Sequence, residues 1–543
     1  MKKTRIVVSA CMNSRASQVT GVVLTFLFVA ALHRQGDGLW FQGDAPRHAV
    51  NGLFWWDLLR MLPRDPVDFA VRYYARYPVI APATYPPFFY IFEGLAFAVF
   101  GPSPYTARFV VLFFAVMAGV YTMAWARRWI GPLAGWAGAF LAFMPGIVMW
   151  SNTVMLNVPA TALGLASLYH FRHWLETARM KSFVLTALFV TAVLLTYYPS
   201  TSVLFILAAW GILRVRDLRF DRRCLWAAAA ASIALVPLLA ALLLAPVHTS
   251  RQLPTGAFLA RLPTWTYYWR MLPGVIGRPA LAVGLAGCAA GLASARWRAE
   301  VVFLIIWITV LIVGLSLLPA RDPRYILLVA PAFALAAAIG IACVVRYLPP
   351  LDPAWQVAVL AAGLAMGVWS AAYIDVPQVS GFREIATYIQ ERAPTDAVLY
   401  DGEYDGLFGF YVRALDPHFQ QRVVLADNLL YHYGPTTTFQ WDQASNVTST
   451  GDVVKVLRAR SGCRWVAIEV GPRPSSALGS RLLQQAVERS EFELTRSFPI
   501  LGAGERRVDL YRMVGDVAPV AAVDLTFPSF SNRKFLHIVP ITR

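Results

Sequence analysis

The chain has 543 residues, 57% hydrophobic and only 15% charged, with a mean hydropathy of +0.52. That balance excludes an ordinary soluble globule and points to a polytopic membrane protein. The net charge of +17 does not imply nucleic acid, because the basic residues fall in short clusters between apolar runs, a pattern that sets membrane topology and attracts phosphate.

The first apolar run, 18–32, follows Lys2, Lys3, Arg5 and Arg15 as in a signal peptide, but lacks a small-residue cleavage site and reads as an uncleaved helix. Further runs able to cross ~30 Å of hydrocarbon lie near 108–126, 132–150, 158–172, 182–198, 200–213, 225–246, 279–295, 300–318, 325–345 and 354–374. Together they predict about eleven spans. The run 86–100 is shorter, starts with Pro86 and Pro87 and carries Glu93. If it does not cross, Arg127-Arg128, the stretch Arg172 to Lys181, Arg214 to Arg223, Arg296 to Arg298 and Arg346 all share the side of the basic N-terminus. The positive-inside rule therefore makes 86–100 a re-entrant or interfacial helix. Residues 1–375 then form the domain in the cytoplasmic membrane, N-terminus inside, with loops 34–107 and 247–278 outside.

From Val376 charged residues become frequent and apolar runs shrink to strand length. Strands are predicted at 398–401, 423–427, 464–470, 492–498 and 507–513, alternating with helices at 380–392, 404–413, 451–460 and 477–490, which gives an external α/β domain over 376–543. The tail after Val517 reads as irregular. No fixed-period repeat or mirrored half is visible, unlike many transporters.

Loop 34–107 is much longer than a helix connection needs and holds Asp37, Asp44, Arg47, His48, Asn51, Asp57, Arg60, Arg64 and Asp65; long ordered loops are where function concentrates. In Gly43-Asp44-Ala45-Pro46-Arg47-His48, Asp44 stands at a helix start with Pro46 early in the first turn, and Asp44 and His48 share a face. From local sequence alone a simple N-cap acid with a helical neighbour is the better account of Asp44. Loop 247–278 carries Arg251, Arg261, Trp265, Tyr267, Tyr268, Trp269 and Arg270, an aromatic belt or a ligand entrance. Glu93, among apolar residues, must face protein or water. The five scattered Cys make no metal or disulfide pattern. Asp401, Glu403 and Asp405 follow a predicted strand and read as a solvated loop, and Asn446-Val447-Thr448 matches a glycosylation triplet that arises often by chance.

The order GDAPRHAVNG, ATYPPFFYIFEGLAFAVFG and PSPYTARFVVLFFAV resembles the GT-C glycosyltransferases of the dolichyl-phosphate-mannose:protein mannosyltransferase type, nearest to the bacterial branch of aminoarabinose transferases and RgtA/B/C/D-like enzymes. The resemblance covers residues 15–375. It implies transfer of a sugar from a polyprenyl-phosphate donor to a lipid, glycan or protein acceptor, with inversion, and Asp44 as the catalytic base. Ala45 stands where the family commonly has Glu, and Tyr85-Pro86-Pro87 where it has Lys or His before two prolines. Met155-Leu156-Asn157-Val158-Pro159 has an amide in place of the family's second acid; Asn157 serves equally as a helix cap. Arg321-Asp322-Pro323-Arg324-Tyr325 matches a segment that implies Arg324, with Arg321 and Tyr325, on donor phosphate, although Arg also anchors at interfaces. Arg47, His48 and Tyr85 complete the expected substrate contacts. No cofactor is required, a divalent metal is compatible, and no residue is assigned as a metal ligand. The rival readings are a lipid or glycan transporter and a non-catalytic scaffold of the same family.

Overall fold

The computed structural model describes residues 12–33, 36–39, 44–80, 85–218, 222–244, 256, 261–318, 321–346, 353–435, 441–472, 477–517, 520, 522–525 and 537–540. By packing, the chain divides into two compact units. One comprises Met1–Arg34, Tyr85–Phe89 and Arg108–Val376, the other Gln35–Thr84, Tyr90–Ala107 and Pro377–Arg543.

Before the C-terminal segment the helices are α1 (Arg15–Leu32), α2 (Asp44–Met61), α3 (Pro66–Arg76), α4 (Phe88–Phe100), α5 (Pro104–Trp129), α6 (Pro132–Phe143), α7 (Pro145–Ser151), α8 (Asn157–Thr177), α9 (Met180–Leu194), α10 (Ser202–Leu213), α11 (Arg222–Leu244), α12 (Leu262–Ile276), α13 (Arg278–Ala293), α14 (Arg298–Ser316), α15 (Val329–Val345) and α16 (Pro353–Ala372).

Each apolar run predicted to span coincides, among the described residues, for most of its length with helix in the first unit. Among the described residues five helices are long and apolar enough to cross a membrane, or seven if each of two bent pairs counts as one span. The predicted span 132–150 is not straight: α6 and α7 meet at 63°, where Pro145 cannot donate to the helix ladder. The expected loop 247–278 is partly helix as well, since α12 runs into α13 through a 113° bend at Gly277, whose φ of +88° is reached cheaply only without a side chain. At the bundle centre, residues 157–168 of α8 are buried on every face, as expected of a helix apolar all round. Helices α13 and α15 approach backbone to backbone at Gly287 and Gly340; a Cβ on Gly287 would collide with the carbonyl of Ala336.

The second unit combines α2, α3 and most of α4 with the chain from Pro377 on. That segment adds β1 (Ala397–Asp401), β2 (Arg422–Leu425), β3 (Tyr431–Pro435), β4 (Trp441–Ser445), β5 (Cys463–Val470), β6 (Phe492–Pro499), β7 (Arg507–Met513), β8 (Ala522–Leu525) and β9 (His537–Pro540). Its helices are α17 (Phe382–Arg392), α18 (Asp405–Leu415), α19 (Ala426–Leu429), α20 (Thr450–Val456) and α21 (Leu478–Ala486). Five strands form a mixed sheet, β2-β1-β5-β7-β6, parallel through β2, β1 and β5 and antiparallel beyond. All five residues of β1, which lies between β2 and β5, are buried, which is why its first four read as an unbroken apolar run up to Asp401. All five predicted strands are present. The tail is not wholly irregular, because β8 and β9 pair antiparallel, and β3 and β4 form a further ribbon that the sequence pattern does not announce.

Candidate active site

In the second unit Asp44 is the first residue of α2 and partly exposed, with Pro46 in the same turn. Gly43, predicted as part of the motif, lies outside the described residues. One turn on, His48 is buried; its Nδ1 lies 2.6 Å from the Tyr90 hydroxyl on α4, and the two rings stack. That places the imidazole in a helix contact, where it can fix the angle of α2. Between them Arg47 donates to Asp405 at 2.7 Å. Its guanidinium pKa is raised by the negative charge of Asp405 first, then, against the cost of burial, by Asp427 and Asp44.

The acids around Arg47 come from the sheet. Asp405 opens α18 just beyond β1, and Asp427 lies in α19 just beyond β2, so both sit past the C-terminal ends of parallel strands, where α/β sheets bind ligands. Gly406 makes the approach possible: a Cβ there would lie 3.0 Å from the Pro46 side chain and 3.3 Å from the Arg47 nitrogen. Burial pushes the Asp427 carboxyl up to about 7, with Asp405 adding to the rise and Arg47 opposing it. Asp401 is buried and accepts hydrogen bonds from Tyr431 and Ser480, each 2.6 Å long. The reading of Asp401, Glu403 and Asp405 as a solvated loop therefore fails for the two aspartates. Only Glu403 is exposed, in an ion pair with Arg506.

Farther along α2, Asp57 and Arg413 of α18 form a fully buried bidentate pair, 2.5 and 2.9 Å, to which Tyr73 adds a hydrogen bond of 2.9 Å. Helix α4 packs on α2 through Gly52, whose absent Cβ leaves room for the Glu93 side chain, and through Gly94 against the backbone at Trp56. Glu93 is fully buried, and its carboxyl oxygens have no hydrogen-bond partner among the described residues. As predicted from the cost of a charge in lipid, it faces protein.

In the first unit the remaining predicted residues gather round one turn. Asn157 opens α8 and donates to the Arg324 carbonyl at 3.3 Å. It does not act as an N-cap, since Leu156 holds that position. Asp322 caps the turn by accepting from the Arg324 amide at 2.9 Å, and its other oxygen lies 3.3 Å from the Arg324 guanidinium. That guanidinium also lies over the Tyr325 ring. Tyr197, at the end of α9, faces Tyr325 and is within electrostatic reach of Arg324 and Tyr85. Arg321 is set apart, over Tyr267 and near the Pro263 carbonyl. Thus Tyr85, Asn157, Arg324 and Tyr325 come together around Tyr197, which the sequence reading missed; its position at the end of the predicted span 182–198, just before Pro199, was the available signal. Among the described residues no three His, Cys, Asp or Glu side chains are grouped to hold a metal ion.

No protein-family model and no curated protein matches the chain, but solved structures do. ArnT from Cupriavidus metallidurans bound to undecaprenyl phosphate aligns with a TM-score of 0.61 at 14% identity, covering 93% of this chain and 98% of that one. The same protein in the apo state gives 0.61 at 17% identity, with 93% and 100% covered. The apo oligosaccharyltransferase of Archaeoglobus fulgidus gives 0.54 at 12% identity, with 83% and 69% covered. The fold is thus the one these glycosyltransferase structures share, the GT-C fold that the sequence resemblance implied.

Proposed function

We propose that the chain is an integral-membrane glycosyltransferase. It moves a sugar from a polyprenyl-phosphate donor to a lipid, glycan or protein acceptor on the outer face of the cytoplasmic membrane, with its N-terminus inside. The observation that carries this reading is the match in fold of 93% of the chain to 98% of a protein solved with undecaprenyl phosphate bound.

The chemistry assigns each group a task. The acceptor hydroxyl attacks the anomeric carbon while its proton passes to the Asp44 carboxylate; the carbon–oxygen bond to the phosphate breaks and the phosphate leaves with the electron pair, inverting the anomeric centre. Negative charge grows on the leaving phosphate, so a cation there stabilises the transition state more than the ground state. Arg324 fills that role, since a planar guanidinium offers parallel donors to phosphate oxygens. Arg321 and Tyr325 extend the same contact, and Tyr85 and Asn157 supply neutral polar contacts where relatives carry charge. Arg47 acts beside Asp44, and Asp405 is a positioning residue that fixes the guanidinium. His48 positions α2 through Tyr90.

The test is transfer of radiolabelled sugar by the purified full-length protein in lipid nanodiscs, with a panel of polyprenyl-phosphate sugars as donors and cell-envelope extracts as acceptors. Label should move into one acceptor fraction. Folded protein that transfers from no donor would contradict the proposal.

A further inference from the structure

Helices α1, α5, α8 and α9 line a half-open cavity of about 450 Å³ at one end of the first unit. It lies at the start of α1, the end of α5, the end of α8 and the start of α9, the opposite end of α8 from Asn157. Asn157 and His170 are thirteen residues apart on that helix, a rise of about 20 Å, so the cavity is separate from the site already described.

Its lining is one-sided in charge. Arg15, Arg179 and Lys181 contribute cations and no Asp or Glu takes part. None of the three forms an ion pair among the described residues. The nearby acid Glu176 is engaged elsewhere, by Arg128 and Arg172. Within the cavity His170 Nε2 lies 3.0 Å from the Tyr121 hydroxyl, while its Nδ1 is buried with no hydrogen-bond partner among the described residues. With Tyr121 donating to Nε2, Nδ1 carries the proton and is a donor in need of an acceptor. His173 at the edge is held by Arg128 at 2.5 Å.

Apart from Ser182, the rest of the lining is largely apolar: Val120 and Ala124 from α5, the Tyr169 ring from α8 and Leu185 from α9. One turn beyond Leu185, Leu188 is 59% exposed on a helix otherwise apolar enough to lie in lipid. A ligand that satisfies this lining carries negative charge and acceptor oxygens at one end and hydrocarbon at the other. Basic pockets between transmembrane helices take anionic lipid headgroups for that reason.

We propose that this cavity binds the phosphate headgroup of an anionic phospholipid, with Arg15, Arg179 and Lys181 neutralising the phosphate and His170 Nδ1 donating to it. The ligand is a bound lipid of the surrounding leaflet and takes no part in sugar transfer.

Native mass spectrometry of the delipidated full-length protein tests this, with phosphatidylglycerol, phosphatidylcholine and soluble glycerol 3-phosphate as probes. Phosphatidylglycerol should bind at least about tenfold more tightly than phosphatidylcholine. Each basic contact near the membrane surface is worth about fivefold, so Arg179→Gln with Lys181→Gln should weaken phosphatidylglycerol by roughly twenty-fivefold. The control pair Arg216→Gln with Arg296→Gln, exposed and outside the cavity, should leave it unchanged. Equal binding of the two phospholipids overturns the proposal whatever the variants do. So does an equal loss in both variants, which means general surface attraction, or glycerol 3-phosphate binding as tightly as the lipid.

Discussion

Replacing Arg413 by Met removes the cation from the buried pair that ties α18 to α2, at nearly constant volume. Asp57 is 0% and Arg413 1% exposed, and two parallel hydrogen bonds of 2.5 and 2.9 Å join them. Breaking such a pair strands an uncompensated charge and costs about 3–5 kcal/mol, whereas replacing both partners by apolar groups is often neutral. Asp57 would keep the Tyr73 hydroxyl at 2.9 Å and Arg60 at 3.4 Å, which puts the expected loss near the lower end, about 3 kcal/mol. At ~2–4 °C per kcal/mol for a unit of this size, Tm falls by roughly 6–12 °C. Adding Asp57→Leu should restore most of that fall. Thermal unfolding of the purified single and double variants measures the coupling, predicted to exceed ~2 kcal/mol. A single variant within ~1 kcal/mol of wild type, or losses that simply add, would refute the assignment of this pair as a buried, mutually dependent clamp.

Three further outcomes are expected. Burial raises the Asp427 carboxyl to about 7, against about 3.9 in the unfolded chain, so the folded state should lose stability as pH rises from about 4 to 7 and level off above. The shift at face value is worth about 4 kcal/mol, and less here because the side chain is partly exposed. Asp427→Asn should flatten that pH dependence of Tm, and parallel wild-type and variant profiles would contradict it. Gly406→Val forces the Pro46 and Arg47 contacts apart and should cost ~1–3 kcal/mol along with transfer activity; unchanged unfolding would show that the two segments yield freely. Arg324→Lys keeps the charge but loses the planar fork on the leaving phosphate, so kcat/KM for the donor should fall about tenfold, kcat included; an unchanged kcat/KM would remove Arg324 from the donor phosphate.

Much of the fold was legible because its signals are local. The length of an apolar run, a proline at its end and the side of each basic cluster are all properties of a short window, and so is the alternation that predicts β1, β2 and β5 to β7. The bends between α6 and α7 and between α12 and α13 depend on how neighbouring helices pack, which hydropathy averages away. The β8–β9 pairing joins residues across a gap in the pattern, so composition could not announce it. In the candidate site, Asp44, Arg324, Tyr85 and Asn157 carry motif neighbours that single them out. Asp405 and Asp427 do not: each looks like an ordinary acid after a strand, and only the long-range approach at Gly406 gives Asp405 its partner. The buried state of His48 was hidden likewise, since Tyr90 lies 42 residues away.

The decisive measurement compares sugar transfer by wild type and Asp44→Asn in nanodiscs, with donor binding checked separately. The substitution keeps the side-chain volume and removes the base, so transfer should fall at least about a hundredfold while donor binding persists. Equal transfer by the two proteins would contradict Asp44 as the base and, with it, the proposed mechanism.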